Sequence, residues 1–236
     1  MSSCNLRGIV LGGTDVKEKD KLIRIFTLEK GIVLATLRGV RGDRAKLKSA
    51  KEIFCFAEFV VEEGKNYCLV TSANVIDNFY DISKNIEKYY EACAIIDIVG
   101  KIAVEPNPQL FIDLVKALKT ICYEDIPKYY VIDKFLLNIF NSLGYKFLTN
   151  NCSSCGAKLG AKYFNLEIGE IVCPACKNAL CVPISEPCYS GLKILNNCEY
   201  DKLVTVKLGG GGEIQVFNLL CKNYEWRTGY KVLNLI

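Results

Sequence analysis

Apolar and polar side chains alternate over the first 76 residues, a period that is typical of β-strands with one buried face. Glycine-bearing turns at residues 29–31 and 63–66 separate two pairs of apolar runs, as hairpin loops do. The pattern predicts five strands, over residues 5–12, 19–28, 32–39, 53–62 and 67–76. Five short strands, with a longer connection after the third, favour a closed barrel of the OB type over residues 1–80. An SH3-like barrel is the near alternative.

The hydrophobic period changes to 3.6 residues after Ser83, which can cap a helix that extends to Val104. Asn107 and Pro108 suit the cap and the first position of a second helix. A third helix is predicted over residues 127–144, where Gly144 ends it. The apolar stripes of the three predict a helical bundle. Further helical segments are predicted over residues 187–197 and 214–236.

Four cysteines with the spacing C-x2-C-x17-C-x2-C interrupt the helical part. Two such tight turns can aim four sulfurs at one tetrahedral Zn²⁺, and four thiolates leave no position for water, so this metal would be structural. The predicted ligands of one Zn²⁺ are Cys152, Cys155, Cys173 and Cys176. The fold class is therefore α+β: the five-stranded barrel, then a helical bundle domain over residues 81–236 with an inserted Cys4 zinc element at 151–178.

Other arrangements of these cysteines remain open. Structural disulfides are disfavoured, because the chain begins without a secretory signal and thiols stay reduced in the cytosol. A redox-active C-x-x-C pair is possible, although it needs only one of the two pairs. Cys181 follows Cys176 closely and could substitute as a ligand.

Composition narrows the class of protein. Hydrophobic residues make up 50% of the chain and charged residues 24%, as in a globular protein. No apolar run is long enough to span a bilayer, so we expect a soluble, cytoplasmic protein. The absence of histidine excludes Ser-His-Asp and Cys-His catalysis and any histidine-bearing metal site. A net charge of +4 allows a polyanionic partner without requiring one.

Cations concentrate between the third and fourth predicted strands, in residues 37–51, which we call the basic connection. It has a single acid, Asp43, and two glycines that favour mobility. Its cations are Arg38, Arg41, Arg44, Lys46, Lys48 and Lys51. A mobile basic segment beside an OB barrel is suited to the phosphate backbone of a nucleic acid. A solvated surface loop is the simpler alternative, and base stacking on Phe54 and Phe56 is a further hypothesis.

Several segments, in order, resemble the RecO family of DNA repair proteins. They are GIVL at 8–11, DKLIRIFTLEKG at 20–31, RGVRGDR at 38–44, FLLNIFNSLGY at 135–145 followed by CSSCG, and CPAC at 173–176. The resemblance covers nearly the whole chain. It implies an OB domain, a helical domain with a zinc element bound through the four cysteines, and a basic OB surface formed by Arg38, Arg41, Arg44, Lys46 and Lys48.

The resemblance also implies a recombination mediator rather than an enzyme. Such proteins bind single- and double-stranded DNA, anneal complementary strands, contact RecR and single-strand-binding protein, and help RecA load. Neither a membrane nor a small-molecule substrate is expected, and the protein would work at the nucleoid. Two alternatives stay open: an adaptor whose barrel binds protein or RNA, and a thiol redox protein that uses a C-x-x-C pair.

Overall fold

The structure, a computed structural model, describes residues 2–16, 18–40, 42, 47–65, 67–145 and 147–233. Its contacts divide the chain into two compact units, Met1–Cys122 and Tyr123–Ile236. The first contains the barrel, and the second contains the cluster of four cysteines. Within the ranges just given, no helix combines the length and the apolar character needed to cross a membrane.

Five strands of the described chain close into a barrel, as the sequence predicts. They are β1 (Ser2–Val16), β2 (Asp20–Thr27), β3 (Gly31–Leu37), β4 (Phe56–Gly64) and β5 (Tyr67–Asp77). Their order around the barrel is β1-β2-β3-β5-β4, and β4 pairs with β1 to close it. Neighbouring strands are antiparallel except β3 and β5, which run parallel where Thr36 meets Leu69.

Strand β1 closes the barrel because it pairs with two strands in succession. Its first part pairs with β4 and its later part with β2, and Gly8 has a partner on both sides. A Cβ atom at Gly8 would lie 2.4 Å from Cγ2 of Ile25, so a side chain does not fit there. A bulge between Val10 and Gly12 interrupts the pairing with β2 and bends the strand.

The barrel core includes residues of the basic connection. Strand side chains such as Leu6 and Phe59 are buried together with Val40 and Ala50 from the connection. Ala50 lies in a short 3-10 helix, Ser49–Lys51, just before β4. Val40 and Ala50 thus anchor the connection in the barrel core near both of its ends.

Two helices complete the first unit: α1 spans Ile86–Ile102 and α2 spans Pro108–Tyr123. Phe111 of α2 packs against Phe26 and Phe56 of the barrel, with ring centroids 5.7 and 6.0 Å away. Arg24 of β2 donates a hydrogen bond to the carbonyl of Gly100 near the end of α1. Aromatic packing and one charged hydrogen bond therefore join both helices to the barrel.

Helix α1 has a different cap from the one predicted. The Oδ1 atom of Asn85 accepts hydrogen bonds from the backbone N–H groups of Glu87 (2.9 Å) and Lys88 (3.1 Å). Ser83 lies instead in the 3-10 helix Tyr80–Lys84, where its hydroxyl donates to a backbone carbonyl. Serine and asparagine are comparable caps, so local preference alone did not distinguish them.

Gly31, at the start of β3, lies against the segment between α1 and α2. Its φ is +67°, and a Cβ atom there would be 3.0 Å from the carbonyl carbon of Glu105. We expect Gly31→Ala to lower the free energy of unfolding by about 1–3 kcal/mol, because left-handed strain adds to this backbone contact. Gly39→Ala is the matched control, since Gly39 has a φ of +63° and no atom within 4 Å of its Cβ position. Urea unfolding compares the variants, and equal losses would contradict the backbone contact.

The described part of the second unit combines helices with a small sheet. The helices are α3 (Tyr130–Ser142), α4 (Glu186–Asn197) and α5 (Gly212–Thr228), and they pack on one another. The strands are β6 (Lys162–Asn165), β7 (Glu170–Val172) and β8 (Cys181–Ile184), paired antiparallel in the order β7-β6-β8. In the sequence, the run KYFNLEIGEIVC at residues 162–173 indicates two short strands joined at Gly169, which are β6 and β7, whereas β8 was not predicted.

Helix α5 ends earlier than the sequence predicts. Gly229 follows its last residue with a φ of +73°, and the N–H of Gly229 donates to the carbonyl of Glu225 at 2.9 Å. This left-handed glycine terminates the helix in the usual way. Residues 230–233 are not helical, and residues 234–236 lie outside the described residues.

Candidate metal centre and nucleic-acid interface

The four predicted ligands converge on one point. Their sulfur atoms, those of Cys152, Cys155, Cys173 and Cys176, all lie within 4.8 Å of one another. In a tetrahedral site with Zn–S bonds of 2.3 Å the sulfurs are about 3.8 Å apart, so little movement is needed. The four cysteines are therefore positioned to bind a metal ion.

Each pair of cysteines lies on a tight turn. In the first cysteine turn, which carries Cys152 and Cys155, the N–H of Gly156 donates to the carbonyl of Cys152 at 2.8 Å. In the second cysteine turn, which carries Cys173 and Cys176, the N–H of Cys176 donates to the carbonyl of Cys173 at 3.1 Å. These short loops aim both sulfurs of each pair toward the same space.

Hydrogen bonds to sulfur prepare the site for a cation. Burial opposes ionisation of Cys152, but backbone N–H groups of Cys173, Cys155 and Ser154 outweigh it and lower the pKa of Cys152 to about 6. Side-chain hydrogen bonds with Cys155 and Cys173 are the main reason that the pKa of Cys176 is raised to about 12. The Cys152 thiolate thus forms readily, and its negative charge opposes ionisation of Cys176. A divalent cation would remove that conflict by neutralising the sulfurs.

Cys181 packs beside the cluster but is not one of its four members. Its sulfur accepts a hydrogen bond from the backbone N–H of Asn178 and donates one to the side-chain oxygen of Asn178, both at 3.3 Å. Four sulfurs complete a tetrahedron without it. We call the two turns and the three-stranded sheet together, residues 151–184, the cysteine element.

Aromatic packing joins the cysteine element to the helices of its unit. The ring of Phe164, on β6, stacks on Phe147 with centroids 5.1 Å apart and planes 2° from parallel. Phe147 packs in turn against Phe140 of α3, at 5.5 Å. At the β6–β7 turn, Arg227 of α5 donates a hydrogen bond to the carbonyl of Glu167 at 2.9 Å. The element therefore shares a core with α3 and is tied to α5.

Several cysteines outside the cluster have raised pKa values. Burial is the main cause that raises the pKa of Cys55 to about 12, that of Cys188 to about 11 and that of Cys221 to about 12. Such thiols stay protonated at neutral pH and are poor nucleophiles.

The cations of the basic connection that the structure describes differ in their exposure to solvent. Arg38 and Lys48 are exposed, whereas Lys51 has 20% of its side chain exposed and its Nζ lies 3.9 Å from the carboxylate of Glu52. The other three, Arg41, Arg44 and Lys46, lie outside the described residues. Arg38 and Lys48 thus present their charges to solvent from the part of the connection that the structure describes.

The two phenylalanines considered for base stacking are buried. Phe54 is 3% exposed and Phe56 is 8% exposed. Phe54 packs edge-on against Tyr89 of α1, and Phe56 packs against Phe111 of α2. Helices cover both rings, so the stacking hypothesis is wrong for this pair.

Comparison with protein families covers both parts of the chain. The model described as "Recombination protein O N terminal" matches residues 1–79, and the model described as "Recombination protein O C terminal" matches residues 83–233. The chain belongs to the RecO family. The resemblance found in the sequence is thereby confirmed, and membership of this family of DNA repair proteins supports a role in recombination-dependent repair.

Individual RecO proteins are similar along most of their length. The DNA repair protein RecO of Thermoanaerobacter sp. (strain X514) is 30% identical over 206 residues, 86% of this chain and 83% of that protein. RecO of Acetivibrio thermocellus is 28% identical over 254 residues, 100% of this chain and 99% of that protein. RecO of Clostridium perfringens is 27% identical over 216 residues, 90% of this chain and 87% of that protein.

Two residues of β2 that the sequence analysis did not select lie beside the basic connection of this RecO-family chain. The carboxylate of Asp20 accepts a hydrogen bond from the N–H of Gly39 at 2.9 Å. The ammonium group of Lys21 donates to the carbonyl of Lys51 at 3.3 Å. Because Lys21 pairs with Leu37 in the β2–β3 hairpin, Asp20 and Lys21 lie beside the start of the basic connection. Extending the predicted hairpin register would have identified Asp20, whereas the contact of Lys21 with Lys51 depends on the path of the connection.

Proposed function

We propose that this chain is a recombination mediator. It binds single- and double-stranded DNA, anneals complementary strands and helps RecA load onto DNA covered by single-strand-binding protein. The match to RecO family models in both parts of the chain is the observation that supports this most. Its partners would be RecR and single-strand-binding protein, at the nucleoid. No catalytic chemistry is required for these steps.

The proposed DNA contact is the basic connection on the barrel. Residues 1–80 would form the nucleic-acid-binding domain, and residues 81–236 the helical domain with its metal element. The contacting cations would be Arg38, Arg41, Arg44, Lys46, Lys48 and Lys51. Exposure of Arg38 and Lys48 supports this placement, and burial of Val40 and Ala50 holds the connection on the barrel surface. Flexible cations of this kind suit phosphates rather than base edges.

The proposed metal is one structural Zn²⁺. Four thiolates in a tetrahedral arrangement suit zinc or an iron–sulfur cluster, and the spread of these sulfurs, within 4.8 Å, matches a single ion. Bound zinc would supply a cross-link between the two cysteine turns. Metal analysis of protein purified under reducing conditions should find one zinc per chain.

A salt titration of binding to an unstructured oligonucleotide tests the function. If four to six cations each neutralise one phosphate of a single strand, the log–log slope should be about −3 to −4. Unrelated sequences should bind equally, and the protein should accelerate annealing of complementary strands coated with single-strand-binding protein. Negligible affinity for DNA would contradict the proposal. Binding to RNA or protein alone would then favour the adaptor alternative.

A further inference from the structure

The four metal-binding cysteines differ in their access to solvent. Cys152 and Cys173 are buried and Cys176 is partly exposed, whereas Cys155, in the first cysteine turn, is exposed. We infer that Cys155 is the sulfur that oxidants attack first, and that it then forms a disulfide with Cys173 across the two turns, which releases the metal. The inference rests on the zinc occupancy proposed above and is independent of DNA binding.

Cys173 lies within reach of Cys155 on the opposite turn. Their sulfur atoms lie 3.7 Å apart, and a disulfide bond is about 2.0 Å long, so the exposed turn has to close a gap of less than about 2 Å. Cys152 is the weaker competitor, although it lies on the same turn as Cys155. Its sulfur accepts a hydrogen bond from the N–H of Cys173 at 3.3 Å, which lowers its nucleophilicity.

Hydrogen peroxide is a sufficient oxidant. The thiolate of Cys155 attacks one peroxide oxygen, the O–O bond breaks, and the departing hydroxide takes up a proton to become water. The thiolate of Cys173 then attacks the sulfur of the resulting sulfenic acid and displaces its hydroxyl group, which takes up a second proton and leaves as water. Two thiolates lose two electrons in total, and one peroxide becomes two waters. With two of its four ligands consumed, the metal is released.

Buried thiols elsewhere in the described chain compete poorly with Cys155 for peroxide. Cys55 and Cys188 are buried, and oxidation of cysteine requires both thiolate character and access. Cys181 is the informative neighbour, because it is partly exposed and packs beside the cluster without being one of the four. Cys181→Ser is therefore the matched control for a thiol of the cysteine element.

The test uses the full zinc-loaded chain and hydrogen peroxide up to one equivalent. A metallochromic chelator follows zinc release, free thiols are then alkylated, and trypsin digests the protein without reduction. Lys158 and Lys162 lie between the two turns, so trypsin separates peptide 147–158 from peptide 163–177. A disulfide across the turns joins these peptides, whereas a disulfide within one turn leaves them apart.

We expect joined peptides with a Cys155–Cys173 bond, formed in step with the release of one zinc per peroxide and reversed by dithiothreitol with added zinc. Cys181→Ser should release zinc at an unchanged rate, and Cys155→Ser should lose the cross-linked product. If Cys155→Ser does not hold zinc, the peptide map of the unaltered chain decides alone. A Cys152–Cys155 bond formed first, or a bond through Cys176, overturns the inference. A chain without stoichiometric zinc before treatment overturns the zinc proposal as well.

Discussion

Cys173→Ser is expected to abolish stoichiometric metal binding and to unfold the cysteine element while the barrel remains folded. Cys173 is buried in the cluster, directly after β7, and its N–H donates to the sulfur of Cys152. Structural zinc sites contribute about 10–16 kcal/mol in small peptides, far more than three short strands can supply. Hydrogen exchange should show that amides of β6 and β8 lose protection while those of β2 do not.

Cys181→Ser is the control for that experiment, because it makes the same chemical change in the same element. The sulfur of Cys181 bonds to Asn178 and is not among the four that converge. This variant should keep one metal per chain and unchanged protection in β6. A full equivalent of metal in Cys173→Ser would contradict the four-sulfur site. Loss of metal without loss of protection would show that aromatic packing alone holds the sheet.

The effect of Cys173→Ser should extend into the helices of the second unit. Phe164 is fully buried and belongs to the element, yet its stacking partner Phe147 also packs against Phe140 of α3. When β6 detaches, Phe147 and Phe140 lose the packing of Phe164 and become exposed to solvent. Because buried aromatic side chains contribute strongly to core stability, this exposure destabilises α3. Amides of α3 should therefore exchange faster in Cys173→Ser than in Cys181→Ser.

Short-range chemistry made much of this fold predictable. Glycine turns and alternating apolar residues identified the five strands, and the cysteine spacing identified the metal cluster, because each depends on residues close together in sequence. The cap of α2 was predicted in the same way, and Asn107 does accept a hydrogen bond from the N–H of Leu110 at 3.0 Å. At α1 the predicted cap was Ser83, but the comparable residue Asn85 caps the helix, and local preference does not separate the two.

Features that depend on contacts distant in sequence were not predictable. Val40 and Ala50 appear in a basic, glycine-containing segment, and nothing local shows that they enter the barrel core. Phe54 and Phe56 looked available for stacking because the covering partners, Tyr89 and Phe111, lie on helices far along the chain. Strand β8 follows the second cysteine turn without a strong β pattern and is defined by its pairing with β6.

The double variant Arg38→Ala, Lys48→Ala should weaken DNA binding by removing phosphate contacts. If each side chain neutralises one phosphate of a single strand, the magnitude of the log–log salt slope should fall by about 1.4. Affinity should fall to the same degree for unrelated sequences, because phosphates carry no sequence information. Stability should change little, since both side chains are exposed. Adding Arg41→Ala and Arg44→Ala should reduce the slope further by a similar amount.

The double variant Lys193→Ala, Lys202→Ala removes the same total charge from the second unit, where both side chains are exposed. It separates a local contact from a general electrostatic effect. If the basic connection is the contact, this control should keep the slope of the unaltered chain, because a neutralised phosphate requires a cation at the interface. If both variants shift the salt dependence equally, net charge is responsible. If the control alone weakens binding, the DNA site lies in the helical unit.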